Sequence, residues 1–194
     1  MHHFVFTLGR DGDFSDTSRF DEATTWLRQV HGATVVTVTE PGEHAGADAD
    51  AAVTRLPLAK LAVRTADCVP VVLLADGAIG VVHAGWRGLA AGVVQRAVAV
   101  MGEVHTAHVG PHIRAGCYEF GAHDLDEVAA ALGDHVRAST TWGAPALDLS
   151  AGVRAALGDV PVVDTGACTA CTDLYPSWRA RQDTARFATI AWIS

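Results

Sequence analysis

The chain has 194 residues, 49% of them hydrophobic, which is enough for one domain with a substantial core over residues 1–194. A formal charge of −8, with only 14 Lys and Arg scattered along the chain, argues against a nucleic-acid partner, which would show as a basic face. The start, MHHFVFTLGRDGDF, lacks the charged-then-apolar order of an export signal. Asp, His or Gly also interrupts the apolar runs well short of a membrane span, so the expected setting is cytoplasmic and membrane-free.

Residues 4–8 read as a strand, followed by a polar loop over 9–18 and a short helix over 19–27 with Ser18 as its N-cap. The β-branched run 34–39 is a strand, 41–50 a loop rich in Gly, Ala and Asp, and Ala51–Thr54 a short strand. Two apolar runs, 69–74 and 78–82, flank the turn Ala75-Asp76-Gly77 as a β-hairpin does. A helix over 89–101 begins beside the turn Gly85-Trp86-Arg87-Gly88 and presents free N–H groups there. A strand over 105–109, helices over 125–132 and Leu149–Leu157, a strand over 160–163, an irregular segment over 168–177 and a last strand over Phe187–Ile193 complete the chain. A helix does not separate each strand from the next. That order predicts an α+β fold with mostly antiparallel sheet rather than a doubly wound parallel one.

The hairpin organises the chemistry. Its outer ends carry Cys68 and His83, which antiparallel pairing brings within reach of one metal ion. A thiolate and an imidazole are donors that zinc prefers, and four cysteines without an export signal read as metal-binding or catalytic rather than as two disulfides. A third ligand is needed, and His31, in Arg28-Gln29-Val30-His31-Gly32, is chosen on the strength of its motif. Three protein ligands leave a fourth position open, which is the pattern of catalytic rather than structural zinc. Arg87, between glycines at a helix start, suits a phosphate or ribose anchor. Trp86 fits either a packing role or a platform for a base. Asp67 is the carboxylate nearest these ligands, as a general acid–base or as the partner that orients a histidine.

Several of these stretches together resemble one family. Arg28-Gln29-Val30-His31-Gly32, Thr65-Ala66-Asp67-Cys68-Val69-Pro70 and His83-Ala84-Gly85-Trp86-Arg87-Gly88 are similar to the three signature blocks of the YfiH/YlmD-like "laccase-domain" proteins, long labelled polyphenol oxidases. Gly110-Pro111-His112-Ile113 with Cys117-Tyr118-Glu119-Phe120 resembles a fourth block, and Cys168-Thr169 with Ser177, Arg179 and Arg186 a C-terminal one. The resemblance implies an α/β/β/α sandwich, likened to a cysteine-hydrolase toxin domain, with zinc on His31, Cys68 and His83. It also implies phosphorolysis of purine nucleosides (adenosine, inosine, methylthioadenosine) together with deamination of adenosine. Nucleoside and phosphate are then the partners, with Arg87 and Arg19 holding the phosphate. The chain departs from the family pattern in a shortened stretch before Arg28, Ser18-Arg19 in place of Asn-Arg, Tyr175-Pro176-Ser177 in place of Phe-Phe-Ser, and Ala185 in place of Gly.

Three rival readings stand beside this one. A copper-dependent polyphenol oxidase could place Cu²⁺ on the same ligands, but multi-copper chemistry needs paired His-x-His clusters that the sequence lacks. A cysteine hydrolase or deamidase would use Cys68 as nucleophile and His83 as base. A binding module would use the zinc only for structure. Cys168 and Cys171 form a lone CxxC and read as two reduced thiols near the site rim without a role. His105 and His108 fall on opposite faces of a strand, His112 is a candidate pocket residue, and His2 and His3 are expected to be terminal and solvated.

Overall fold

The computed structural model describes residues 1–194. In chain order its first half carries β1 (His2–Phe6), β2 (Thr24–Trp26), β3 (Val35–Val38), β4 (Ala51–Thr54), β5 (Lys60–Thr65), β6 (Val69–Ala75) and β7 (Ala78–Ala84). Then follow α1 (Trp86–Ala90), α2 (Val93–Met101), β8 (Val104–Val109), α3 (Ala122–Leu132), β9 (Arg137–Ser139), β10 (Pro145–Leu147), α4 (Leu149–Leu157), β11 (Val162–Asp164), α5 (Trp178–Arg181) and β12 (Phe187–Ile193). Six strands form one sheet in the order β11-β8-β6-β7-β4-β3, four form a second in the order β1-β12-β5-β2, and β9 pairs with β10 in a separate ribbon. The pairs β3–β4, β2–β5 and β8–β11 are parallel and the others antiparallel, so the fold is α+β with mixed sheets.

The central hairpin explains the layering. Along β6, Val71 and Leu73 face one way and Val72 the other, and all are fully buried. Val72, with Ile79 and Val81 of β7, packs against Leu61, Val63 and Ala191 of the four-stranded sheet. Val71, Leu73 and Val82 instead face Leu89, Val93, Val94 and Ala97 of α1 and α2, backed by Leu125 and Val153 of α3 and α4. A sheet covered on both faces reads as continuous apolar runs, as these strands do. Each such Val, Leu or Ile side chain contributes about 1.5–3 kcal/mol through its burial.

Two sequence expectations are corrected. Residues 19–27 are not a helix: a 3-10 turn at Thr17–Arg19 leads into β2, and Asp16 rather than Ser18 caps the turn. Thr24 and Thr25 are β-branched, buried, and gain a parallel partner in β5, all of which favours strand. The helix expected over 89–101 is two helices. Gly92 adopts a left-handed φ of 83° between them, and the first begins at Trp86. His2 and His3 are strand residues paired with the C-terminal strand, where His3 stacks on Trp192.

The hairpin itself forms with Pro70 opposite His83. Because β4 is antiparallel to β7 and parallel to β3, the starts of β3, β4 and β6 and the end of β7 lie at one edge of the sheet. Between β5 and β6 the chain passes from one sheet to the other through Ala66-Asp67-Cys68. No helix is long and apolar enough to cross a membrane.

Candidate functional site

At that shared edge the side chains of His31, Cys68 and His83 converge, with their donor atoms within 4.8 Å of one another. His31 Nε2 stands 3.8 Å from Cys68 Sγ, and the His31 and His83 rings meet edge-on with centroids 4.9 Å apart. A tetrahedral zinc with usual Zn–S and Zn–N bonds separates such a nitrogen and sulfur by about 3.5 Å, so the donor set fits the ion. The space is kept open by Gly85, where a Cβ would lie 2.8 Å from His31 Cδ2 and 3.2 Å from Cys68 Sγ.

One buried carboxylate arranges two of the three. Asp50, fully buried just before β4, accepts from His83 Nδ1 at 2.8 Å and from the backbone N–H groups of Val30, His31 and Gly32 at 3.2, 2.9 and 2.7 Å. A carboxylate beside Nδ1 fixes the proton there, leaving the Nε2 lone pair of His83 for the cluster. The three backbone bonds set the loop in which His31 has its left-handed φ of 57°. Burial disfavours the Asp50 charge, but the bonds from His83 and Gly32 hold its pKa below the usual carboxylate value.

The same crowding shifts the ligands. Burial works against ionisation of Cys68, yet the adjacent His83 and the contact with His31 bring its thiol down to about 6. Burial likewise opposes charge on His83, but Cys68 and Asp50 raise it to about 9. Each of the two thus favours the charged form of the other.

A cavity of about 580 Å³ opens over the cluster, and Trp86, Tyr118 and Trp178 contribute to its wall. Arg28, Arg64, Arg87, Arg179 and Arg186 also line it. Arg28 is paired with Asp48, whereas the other four have no carboxylate within ion-pair distance. Asp67, the acidic lining residue, is already engaged: it accepts from Thr169 Oγ1, Ser177 Oγ and Arg179 N, each at 2.6 Å. In a chain of net charge −8, this hollow is locally cationic.

A sequence profile of the family described as multi-copper polyphenol oxidoreductase laccase matches residues 13–194. The chain belongs to this laccase-domain family. It is 41% identical over 186 residues to a protein of Streptomyces griseus named purine nucleoside phosphorylase, covering 87% of this chain and 73% of that one. YlmD from Geobacillus stearothermophilus superposes with a TM-score of 0.78 at 27% identity, covering 89% of this chain and 74% of its own. The Bacillus licheniformis hypothetical protein YfiH shares the fold at a TM-score of 0.79 and 24% identity, with 93% and 78% covered.

Within this laccase-domain chain, most of the residues singled out from sequence meet at the cavity. His31, Cys68, His83, Arg87 and Trp86 all line it. Trp86 both packs, edge-on to Phe120 at 5.5 Å, and carries the Arg87 guanidinium 4.3 Å over its ring. Arg19 does not reach the cavity: its guanidinium bonds Asp11 O at 2.8 Å and lies over Phe14, because the 3-10 turn directs it toward Gly12. Asp67 orients no histidine. It sits at a left-handed φ of 93° and clamps the C-terminal segment instead. His112 is a buried core residue, bonded to Gly110 O and Ser150 Oγ at 2.8 Å each. Asp50, Arg64 and Trp178 are contributors that sequence reasoning passed over, and Tyr118 enters it only as part of a family-like block, without a role. For Asp50 the available signal was an acid directly before the buried apolar strand Ala51–Thr54.

Proposed function

We propose that this protein is a zinc-dependent purine nucleoside phosphorylase that also deaminates adenosine, with residues 1–194 acting as one domain. The observation that carries the reading is a His₂Cys donor set, braced by Asp50, opening into a cavity rich in unpaired arginines. A volume of about 580 Å³ suits a nucleoside and a phosphate together. The name of the Streptomyces griseus relative supports the phosphorylase part of this reading.

His31, Cys68 and His83 would hold the metal, which when bound supplies Lewis acidity and can acidify a coordinated water toward ~7. The remaining work falls to the chain. Arg64, Arg87, Arg179 and Arg186 offset the phosphate charge and aim one of its oxygens at the ribose C1′. As the new C–O bond forms, the bond from C1′ to the purine nitrogen breaks, and its electron pair leaves with the base. Tyr118 lines the same cavity. Burial pushes its hydroxyl up to about 12, so it stays protonated at neutral pH and can donate to the departing purine. Trp86 and Trp178 offer aromatic surface to the base.

The test is to incubate zinc-loaded protein with adenosine, inosine and methylthioadenosine, with and without phosphate, and to follow release of base and inosine. Cys68→Ala is expected to abolish turnover and most zinc binding. Turnover that persists in that variant overturns the proposal. The Cys68 thiol within 4.8 Å of the His83 imidazole is the specific observation behind a second reading, a cysteine hydrolase. That reading requires activity that survives chelation and is lost to a thiol alkylator. For copper chemistry, the ligand groups of the chain include one with histidines and one with cysteines alone, so donors for a multi-copper array are missing. Metal analysis of protein purified without added metal, alongside a phenol-oxidation assay, separates copper from zinc.

A further inference from the structure

The other three cysteines take no part in the chemistry above, yet they converge. Cys168 and Cys171 bracket the 3-10 turn Thr169–Cys171, and Cys117 ends the turn Ala115–Cys117, 54 residues before Cys171. Their Sγ atoms lie within 4.8 Å of one another, with Cys117 and Cys171 at 3.1 Å. Neighbouring sulfurs around a thiolate-bound zinc stand about 3.8 Å apart, inside this range.

One of these sulfurs also takes a backbone hydrogen bond. Cys168 Sγ accepts the N–H of Arg114 at 3.4 Å, which ties it to the loop that carries Cys117. Three thiols this close cannot all ionise unless a cation sits among them, and a coordinating cation deprotonates its thiols outright.

We propose that Cys117, Cys168 and Cys171 form a second metal site, for a thiophilic d¹⁰ ion such as zinc or copper(I), independent of the His31–Cys68–His83 centre. A disulfide between Cys117 and Cys171 would use two of the sulfurs and leave out Cys168, which the Arg114 N–H holds beside them. An ion uses all three. The site staples the Ala115–Cys117 turn to the C-terminal segment that forms the cavity wall. Thr169, inside the CxxC, bonds Asp67 beside Cys68, and Arg179 lines both the main cavity and the hollow next to Cys117.

Metal counting on the whole protein tests this directly. Chelator-stripped protein is reloaded with zinc or, anaerobically, with copper(I), and bound metal is measured by mass spectrometry. Wild type is expected to hold about two equivalents, and Cys171→Ser and Cys68→Ala about one each. With Co²⁺ as probe, the thiolate charge-transfer band is expected to be stronger in Cys68→Ala than in Cys171→Ser. Alkylation mapped by peptide mass spectrometry needs no substitution: metal is expected to protect all three cysteines in the wild-type chain. Equal metal content in wild type and Cys171→Ser overturns the proposal. So does unprotected alkylation of the loaded protein, or a purified chain in which Cys117 and Cys171 have each lost a hydrogen to a disulfide. Loss of metal from the His31–Cys68–His83 centre alone leaves the Cys171→Ser difference intact, so the two sites fail separately.

Discussion

Asp50→Asn removes the charge that braces the candidate metal centre while keeping the side chain's shape. The carboxylate accepts four hydrogen bonds, from His83 Nδ1 and three backbone N–H groups, in a fully buried position. An amide has one acceptor oxygen, good for two of the four, and turns its own NH₂ toward the other donors. Hydrogen bonds to a charged partner contribute about 1.5–3 kcal/mol each, so losing two costs about 3–6 kcal/mol of folding stability. That is a large part of the roughly 5–15 kcal/mol typical of a whole chain. The centre suffers separately, because His83 is no longer held in the tautomer that directs Nε2 inward. Losses at such supporting positions run at about 10–100-fold in metal affinity. Denaturant unfolding gives the first quantity, and zinc competition against a chromophoric chelator gives the second. If zinc affinity stays within about threefold of wild type while the protein is destabilised, Asp50 is a structural acid only and the orienting role is wrong.

Gly85→Ala should do the reverse: its φ of −76° suits alanine, but the new Cβ meets His31 and Cys68. Metal affinity is expected to fall by about tenfold or more with Tm lower by under about 4 °C, and intact zinc binding would refute the packing argument. Arg87→Ala removes an exposed guanidinium that lines the cavity, so the KM for phosphate should rise by about tenfold or more with zinc content unchanged; an unaltered KM removes Arg87 from the phosphate site. His112 is fully buried; burial and then Arg114 drive its pKa down to about 4, so the unfolded chain binds its proton first as pH falls. Its contribution is therefore complete above pH ~6.5 and is lost between there and ~4, by about 3 kcal/mol. Measured in chelator, Tm should drop less steeply over that window in His112→Gln than in wild type, and parallel profiles would contradict the assignment.

Where local patterning and tertiary demand agreed, the fold was legible. Phe187–Ile193 and Leu149–Leu157 form over the residues their patterns imply, the latter with Asp148 bonding the N–H of Ala151 at its start. The hairpin was readable because Gly77 supplies a left-handed turn between two β-branched runs. Residues 19–27 misled because their polar–apolar spacing suits a helix, while the deciding term is a partner strand 36 positions away: Thr24 pairs with Lys60. The split between α1 and α2 turns on Gly92, whose left-handed backbone is not visible in a periodicity that runs straight through it. That Lys60–Thr65 leaves the hairpin for the opposite sheet is a matter of long-range pairing with Phe187–Ala191, which no local pattern records.

The site divides along a similar line. Donor chemistry is written locally: a cysteine and a histidine at the ends of one hairpin must meet, and a glycine-rich turn marks where they do. Support is written in three dimensions. Asp67 is next to Cys68 in sequence and was the natural candidate to orient a histidine, yet the sheet crossover turns its carboxylate away, onto Thr169, Ser177 and Arg179. Asp50 is 33 residues from His83, but β4 pairs with β7 so that Asp50 O accepts the His83 N–H at 2.7 Å, which sets the carboxylate beside the ring. Cys117 likewise joins Cys168 and Cys171 through long-range pairing, the bridge between His112 and Cys168 and the bond from Arg114 N–H to Cys168 Sγ. Adjacency in sequence thus identifies which atoms can bind an ion, while strand register decides which acid makes them ready to do so.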